Sequence, residues 1–334
     1  MSKQVKDGEA RAIKRFDLFD FLYKYGTLFT IVIIVVFFSI TTDGRFISPA
    51  NIINILRAMS ITTVIATGIT ISLVVGGFDL SVGSVASMTM ALSIAMFVWY
   101  EQNIVVSILV ALIVAGIIGF LNSVLIIRFK IPDMLATLAA MFIFNGVSTT
   151  FSKGKIISQN MIMEDGSVST GLIPASFRSL GQVPVIIIVM AALVIIVHIF
   201  LTYTKHGRYM YVVGGNAEAA RLSGVKVDKY RRIAYIMAAI LAGIGGILLA
   251  ARIGQSNPSA GAGYLMESVA AAFIGFSVAG VGKPNAIGTF VGALLMVALS
   301  NGLVMKSVPY YSMDIIKGAV LVLALGITYY KQKR

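Results

Sequence analysis

Ten predominantly apolar stretches, separated by short polar connections, organise this chain: 25–40, 56–76, 81–100, 104–127, 133–151, 183–204, 233–252, 265–281, 286–305 and 311–329. Most have the roughly 17–25 residues that a helix needs to cross a bilayer. The least extended are 25–40 and 265–281, the latter rich in small residues. The pattern predicts an all-α fold: a polytopic membrane helix bundle of about ten transmembrane helices. No polar stretch exceeds about thirty residues, and separate domains seldom fall below about fifty. One membrane domain over 25–330 is therefore expected, after a polar N-terminal segment at 1–24. Glycine pairs within the apolar stretches, Gly116 with Gly119, Gly243 with Gly245 and Gly246, and Gly288 with Gly292, are expected to let helix backbones approach closely.

Charge fixes an orientation. An even number of crossings puts both termini on one side. With the N-terminus inside, the inside segments carry 19 of the 27 lysines and arginines, including seven in 205–232. That is the bias of cytoplasmic loops, so both termini are expected to be cytoplasmic. The remaining eight are Arg45, Arg57, Lys153, Lys155, Arg178, Arg252, Lys306 and Lys317. The net charge of +13 is dispersed between apolar stretches, which argues against nucleic-acid binding. With no cysteine and two histidines, His198 and His206, disulfides and thiolate or His-rich metal sites are excluded, and no cofactor is expected. His198 reads as a packing residue. The first apolar stretch lacks a small-residue cleavage pattern and is expected to be retained as a helix.

The polar segment 205–232 carries a short helix signature. Asn216 can cap it, Glu218 lies in the first turn where the dipole favours an anion, and Gly224 stops it. Between them stand Ala219, Ala220, Arg221 and Leu222. An interfacial helix on lipid is one reading, helped by Arg221, Lys226 and Arg231. The small apolar surface suits a protein groove better. The segment 152–182 is the largest connection on the opposite side, and reads equally as a partner-binding loop or as a plain connection with a short interfacial helix.

Two blocks place polar residues and glycines where the chain reverses. In Gly76-Gly77-Phe78-Asp79-Leu80-Ser81-Val82-Gly83-Ser84, the residues Asp79 or Ser81 can cap the next helix. The same block can instead be a broken-helix element beside a transport pathway. A similar device recurs at Gly280-Val281-Gly282-Lys283-Pro284-Asn285. Gly282-Lys283 is no phosphate loop: Ser277 stands where a glycine is required, and Pro284 replaces the magnesium-binding hydroxyl. Among ionisable residues within the apolar stretches are Glu267, Asp314 and Lys317; the last two, three apart, share a helix face and can pair. The pathway candidates are thus Asp79, Ser81, Ser84, Glu267 and Asn285.

Three stretches, GGFDLSVGS (76–84), GRYMYVVGGNAEAARLSGVKV (207–227) and NPSAGAGYLMESVAAAFIG (257–275), carry a family pattern. Over essentially its whole length the chain resembles the permease subunits of ribose-type monosaccharide ABC importers, in the branched-chain amino acid/ribose-type permease family. Glu218-Ala219-Ala220, followed by Gly224, is similar to the loop with which import permeases dock on their ATPases. The longer form of that motif is not continued beyond Gly224. The resemblance implies a multi-pass protein of the inner or cytoplasmic membrane, not itself an enzyme. Its implied partners are a cytoplasmic ABC ATPase, an external solute-binding protein, and a second permease copy or related permease. It also implies ATPase docking at Asn216, Glu218, Ala219, Ala220, Arg221 and Gly224. Family members often read like GGTSLAGG where this chain has Gly275-Phe276-Ser277-Val278-Ala279-Gly280-Val281; this departure bears on the solute. The charged residues Asp79, Glu267, Asp314 and Lys317 keep an ion-coupled secondary transporter as the alternative, and a membrane scaffold without a transport cycle as a third reading.

Overall fold

The computed structural model describes residues 18–276, 278 and 282–332. Most of the N-terminal segment (1–17) and four positions of the departure, Ser277, Ala279, Gly280 and Val281, lie outside the described residues. Among the described residues there are thirteen α-helices: α1 (Leu18–Thr41), α2 (Pro49–Val74), α3 (Val82–Val98), α4 (Ile104–Ile127), α5 (Asp133–Phe151), α6 (Ala175–Leu180), α7 (Val185–Tyr203), α8 (Lys205–Gly215), α9 (Ala217–Leu222), α10 (Val227–Ile253), α11 (Ala262–Ile274), α12 (Ala286–Met305) and α13 (Tyr310–Gln332). Two-residue strands, β1 (Ile157–Ser158) and β2 (Gln255–Ser256), pair antiparallel.

Each apolar stretch seen in the sequence overlaps a helix, the stretch 265–281 only as far as Ile274. Among the described residues six helices are long and apolar enough to cross a membrane: α2, α4, α5, α7, α10 and α12. Side-chain caps set several boundaries. Asn103 Oδ1 accepts from the Val106 amide (3.0 Å) to start α4, and Ser48 with Pro49 starts α2.

Helix α10 forms the axis, with α2, α3 and α4 packed around it. Small residues make this possible. A Cβ on Gly246 would lie 2.2 Å from the Ala86 carbonyl oxygen of α3, and one on Gly119 would lie 2.6 Å from the Tyr235 carbonyl oxygen. Gly292 meets Ala271 of α11 in the same way. Gly116 does not share this role: nothing lies within 4 Å of its side-chain position, because the face it occupies on α4 points away from α10. Several hydroxyls inside the bundle find hydrogen-bond partners nearby. Thr89 donates within range of Val85 and Gly243 oxygens, and Thr70 shares a 2.6 Å hydrogen bond with Thr289 of α12.

Helices α3 and α11 are short, at 17 and 13 residues, and both begin inside the bundle. Gly77 packs against the Tyr235 hydroxyl of α10, whereas Ala86 packs against Gly246. On an α-helix those two levels are roughly 16 Å apart, so residues 78–81 and the first turn of α3 carry the chain back along α10. On the other side, the chain leaves α10 at Gly254 (φ 73°), pairs β2 with β1, and re-enters. The Gly261 amide then donates to Ser87 Oγ of α3 at 3.0 Å, and a Cβ on Gly261 would lie 2.1 Å from the Gly83 oxygen. The starts of α3 and α11 therefore touch. At the first break, where Gly77, Asp79 and Ser81 are buried, irregular backbone is tolerated because protein surrounds it.

Candidate functional site

At one end of the bundle the α2–α3 break, the α4–α5 turn, the α8–α9 hairpin and residues 282–285 come together. Residues 205–232 hold more helix than the sequence suggested. The Thr204 hydroxyl caps α8 by accepting from the Gly207 amide (3.1 Å), and Gly207, Met210 and Val213 form its buried face. Asn216, in extended conformation, ends α8 and caps α9: its Oδ1 accepts from the Ala219 amide at 2.9 Å. Gly224 has φ 79°, the left-handed conformation that ends a helix.

Helix α9 anchors itself through Ala220, which is fully buried. Glu218 and Ala219 face outward, and Leu222 is 86% exposed. Arg221 lies 3.6 Å from Asp228 in an exposed pair beside Gly224. The sequence placed these residues correctly on one capped helix; it did not reveal α8 beneath it.

Helix α8 touches both reversals. A Cβ on Gly214 would lie 2.0 Å from the Val74 oxygen, the last residue of α2, and Gly76 packs on Gly214 in return. The Tyr211 hydroxyl donates to the Pro284 carbonyl at 2.7 Å. Burial raises the Tyr211 phenol above its ordinary range, so it remains a donor at neutral pH. Asn285 binds the second reversal together: its Oδ1 accepts from Gly288 N (2.6 Å), and its Nδ2 reaches the Gly275 and Lys283 oxygens.

In the first break, neither Asp79 nor Ser81 makes the expected side-chain cap on α3. Instead Asp79 Oδ1 accepts from both the Ser81 amide (2.8 Å) and the Ser81 hydroxyl (2.6 Å), closing a local turn before the helix. Asn122 of α4 donates to the same Ser81 hydroxyl (2.8 Å), and Ser84 returns a hydrogen bond to the Ser81 carbonyl. Asp79 and Ser81 are fully buried. Thr137 of α5 stitches the break to its neighbour through Leu80 N and Phe78 O, both at 3.2 Å.

A cluster that sequence reasoning missed supports this corner. Arg231 of α10 binds both carboxylate oxygens of Asp133 of α5, and the Tyr235 hydroxyl donates to Asp133 Oδ2 at 2.6 Å. Gly77 lies directly against that carboxylate and hydroxyl. Asp133 and Arg231 are 98 residues apart, so no local spacing could have paired them.

Glu267 lies towards the opposite end. It accepts from Lys317 Nζ (2.6 Å) and Ser300 Oγ (3.0 Å), and lines a cavity of about 330 Å³ between α11 and α13. Lys317 was expected to pair with Asp314; the closer partner is Glu267, while Asp314 lies 4.0 Å away and is exposed. Asp314 sits on the same helix as Lys317 but points outward, whereas Glu267 faces it across the α11–α13 contact.

At that same end, residues 152–182 hold the short helix α6, the strand β1 and a bridged turn. Phe177 of α6 stacks on Phe97 (4.8 Å), and Ile162 bridges Val168 in a hairpin. Trp99, Phe151, Met161 and Met163 floor a cavity of about 360 Å³, rimmed by the Lys153–Glu164 ion pair. Lys153 holds the Glu164 carboxyl below its usual range through hydrogen bonding, and the Ser167 hydroxyl does the same for Asp165.

Residues 51–325 match the family described as the branched-chain amino acid transport system / permease component. The chain belongs to this family of permeases. It is 32% identical to the ribose import permease protein RbsC of Escherichia coli K12 over 311 residues, 93% of this chain and 95% of that protein. It is 31% identical to the ribose import permease protein of Bacillus subtilis over 93% of this chain and 94% of that one. The xylose transport system permease protein XylH of Haemophilus influenzae is 29% identical, over 94% and 98% of the two chains. No solved structure matches the chain.

Proposed function

We propose that this chain is the membrane permease subunit of an ATP-binding-cassette importer for a monosaccharide or related small polar solute. The observation that carries this reading is similarity to ribose and xylose permeases along nearly the whole of both chains. In this reading the bundle makes ten crossings of the inner or cytoplasmic membrane with both termini cytoplasmic. The basic end that carries α8 and α9 then faces the cytoplasm, in agreement with the loop-charge bias.

Helix α9 docks on a separate ATPase, which hydrolyses the ATP. Asn216 and Gly224 fix its two ends, Ala220 roots it, and Glu218, Ala219 and Arg221 with the exposed Leu222 form the contact face. An isolated six-residue helix is marginal in water, and burying Leu222 in a groove supplies apolar contact that α9 lacks alone. The folded 152–182 segment presents the opposite surface to a solute-binding protein. A second permease copy or a related permease completes the membrane unit.

The pathway candidates divide by the contacts they make. Asp79, Ser81 and Ser84 hold the first break and Asn285 holds the second, so they act as struts in this conformation. Glu267 lines a cavity, which supports it as the candidate that meets solute.

Co-purification tests the docking role. The wild-type chain, expressed with the ATPase subunit, should retain it in detergent. Gly224→Pro, which forbids the positive φ that ends α9, should lose most of the ATPase while the bundle stays folded. Normal retention and uptake by Gly224→Pro would overturn the role of α9.

A further inference from the structure

Helix α8 carries no docking residue, yet its position gives it work. It is held rigidly between fixed points. Thr204 caps its start, Gly207 fits against the Phe200 and Leu201 oxygens of α7, and Met210 and Val213 are buried. Its last turn lies against the end of α2 so closely that Gly214 admits no side chain. One residue further on, Asn216 both ends α8 and caps α9, so a displacement of α9 reaches α8 without an intervening loop.

From α8 two contacts run to two different broken segments. Gly214 meets Gly76, which begins the climb of the chain through Gly77, Asp79 and Ser81 to α3. Tyr211 donates to Pro284 O. The Pro284 carbonyl and the Asn285 nitrogen share one planar peptide unit, so a force on that carbonyl is passed to Asn285. That residue caps α12 and also bonds the Gly275 carbonyl at the end of α11. The far ends of the two broken segments are joined as well, where Gly261 of the α11 entry meets Ser87 and Gly83 of α3.

The geometry points to α8 as the link that moves both broken segments together when α9 is displaced, with the Tyr211 hydroxyl on Pro284 as the positioning contact for the second. The link rests on the ATPase-docking reading of α9. The Tyr211 ring packs against the core, so phenylalanine keeps that contact while removing the hydroxyl.

Tyr211→Phe removes this hydrogen bond and keeps the ring. The wild-type and variant permeases, each assembled with ATPase and solute-binding protein, are reconstituted in liposomes. ATP hydrolysis and uptake of radiolabelled ribose and xylose are then measured side by side. The variant should retain ATPase and hydrolyse ATP at the wild-type rate, while sugar moved per ATP falls about three- to tenfold, as expected for one lost hydrogen bond. A merely structural role would lower assembly and hydrolysis together and leave their ratio to uptake unchanged, which would overturn the proposal. Wild-type stoichiometry in the variant would also overturn it, while leaving ATPase docking at α9 intact. Failure of the wild-type chain to bind an ATPase would instead refute the docking reading itself.

Discussion

At the scale of single residues, the Asp133–Arg231–Tyr235 cluster is where chemistry and architecture coincide. The side chains of Asp133 and Arg231 are 17% and 26% exposed, so the pair is largely withdrawn from water. Such a pair is weak as a source of stability but costly to break from one side, because the remaining charge is left without a partner. Asp133→Asn should therefore lower the stability of the detergent-solubilised protein by about 2–4 kcal/mol, seen as a fall in melting temperature. The double change Asp133→Leu with Arg231→Met should cost less than either charge-stranding single change. Equal or additive losses would show that the pair is not coupled. Gly77 belongs to the same corner: it has no room for a Cβ beside the Tyr235 hydroxyl and Asp133 Oδ2, so the first break is moulded around this cluster.

At the scale of elements, the chain alternates spanning helices with devices that interrupt them. The α4, α5 and α12 boundaries coincide with the apolar runs at 104–127, 133–151 and 286–305, because polar or turn residues bracket them on both sides. Helices α1, α2 and α10 start six or seven residues earlier than hydropathy alone indicates. For α2 and α10 the added turns carry polar residues such as Asn51, Asn54, Asp228 and Arg231 that a hydropathy window discounts. The α9 cap and stop were legible, since Asn216 and Gly224 have local meanings. The helix α8 was not. Its sequence KHGRYMYVVGG contains three glycines and little apolar character, and packing against α2, α7 and α10 overrides that propensity. The depth of the two breaks was equally hidden, because it follows from contacts such as Gly261 with Ser87 between distant segments. The capping account of α9 makes a definite prediction. Asn216→Ala should destabilise α9 by about 1 kcal/mol and speed amide hydrogen exchange at Ala219 and its neighbours, leaving α10 unchanged. Unaltered exchange at Ala219 would mean that the cap contributes nothing.

At the scale of the whole molecule, the bundle has two unlike ends. One gathers both broken segments under a capped helical hairpin in the most basic connection of the chain. The other carries a folded segment, tied to the bundle by the β1–β2 pair and by Phe177 on Phe97. This polarity suits the proposed permease, driven from one side by a separate ATPase and supplied from the other. ATP-dependent uptake tests that claim most directly. The permease is reconstituted in liposomes with its ATPase and solute-binding protein, and uptake of radiolabelled ribose and xylose is followed with and without ATP. Accumulation of at least one sugar that requires ATP, the ATPase and the binding protein together is the predicted result. Accumulation by the permease alone under a proton or sodium gradient, with ATP making no difference, would contradict the account.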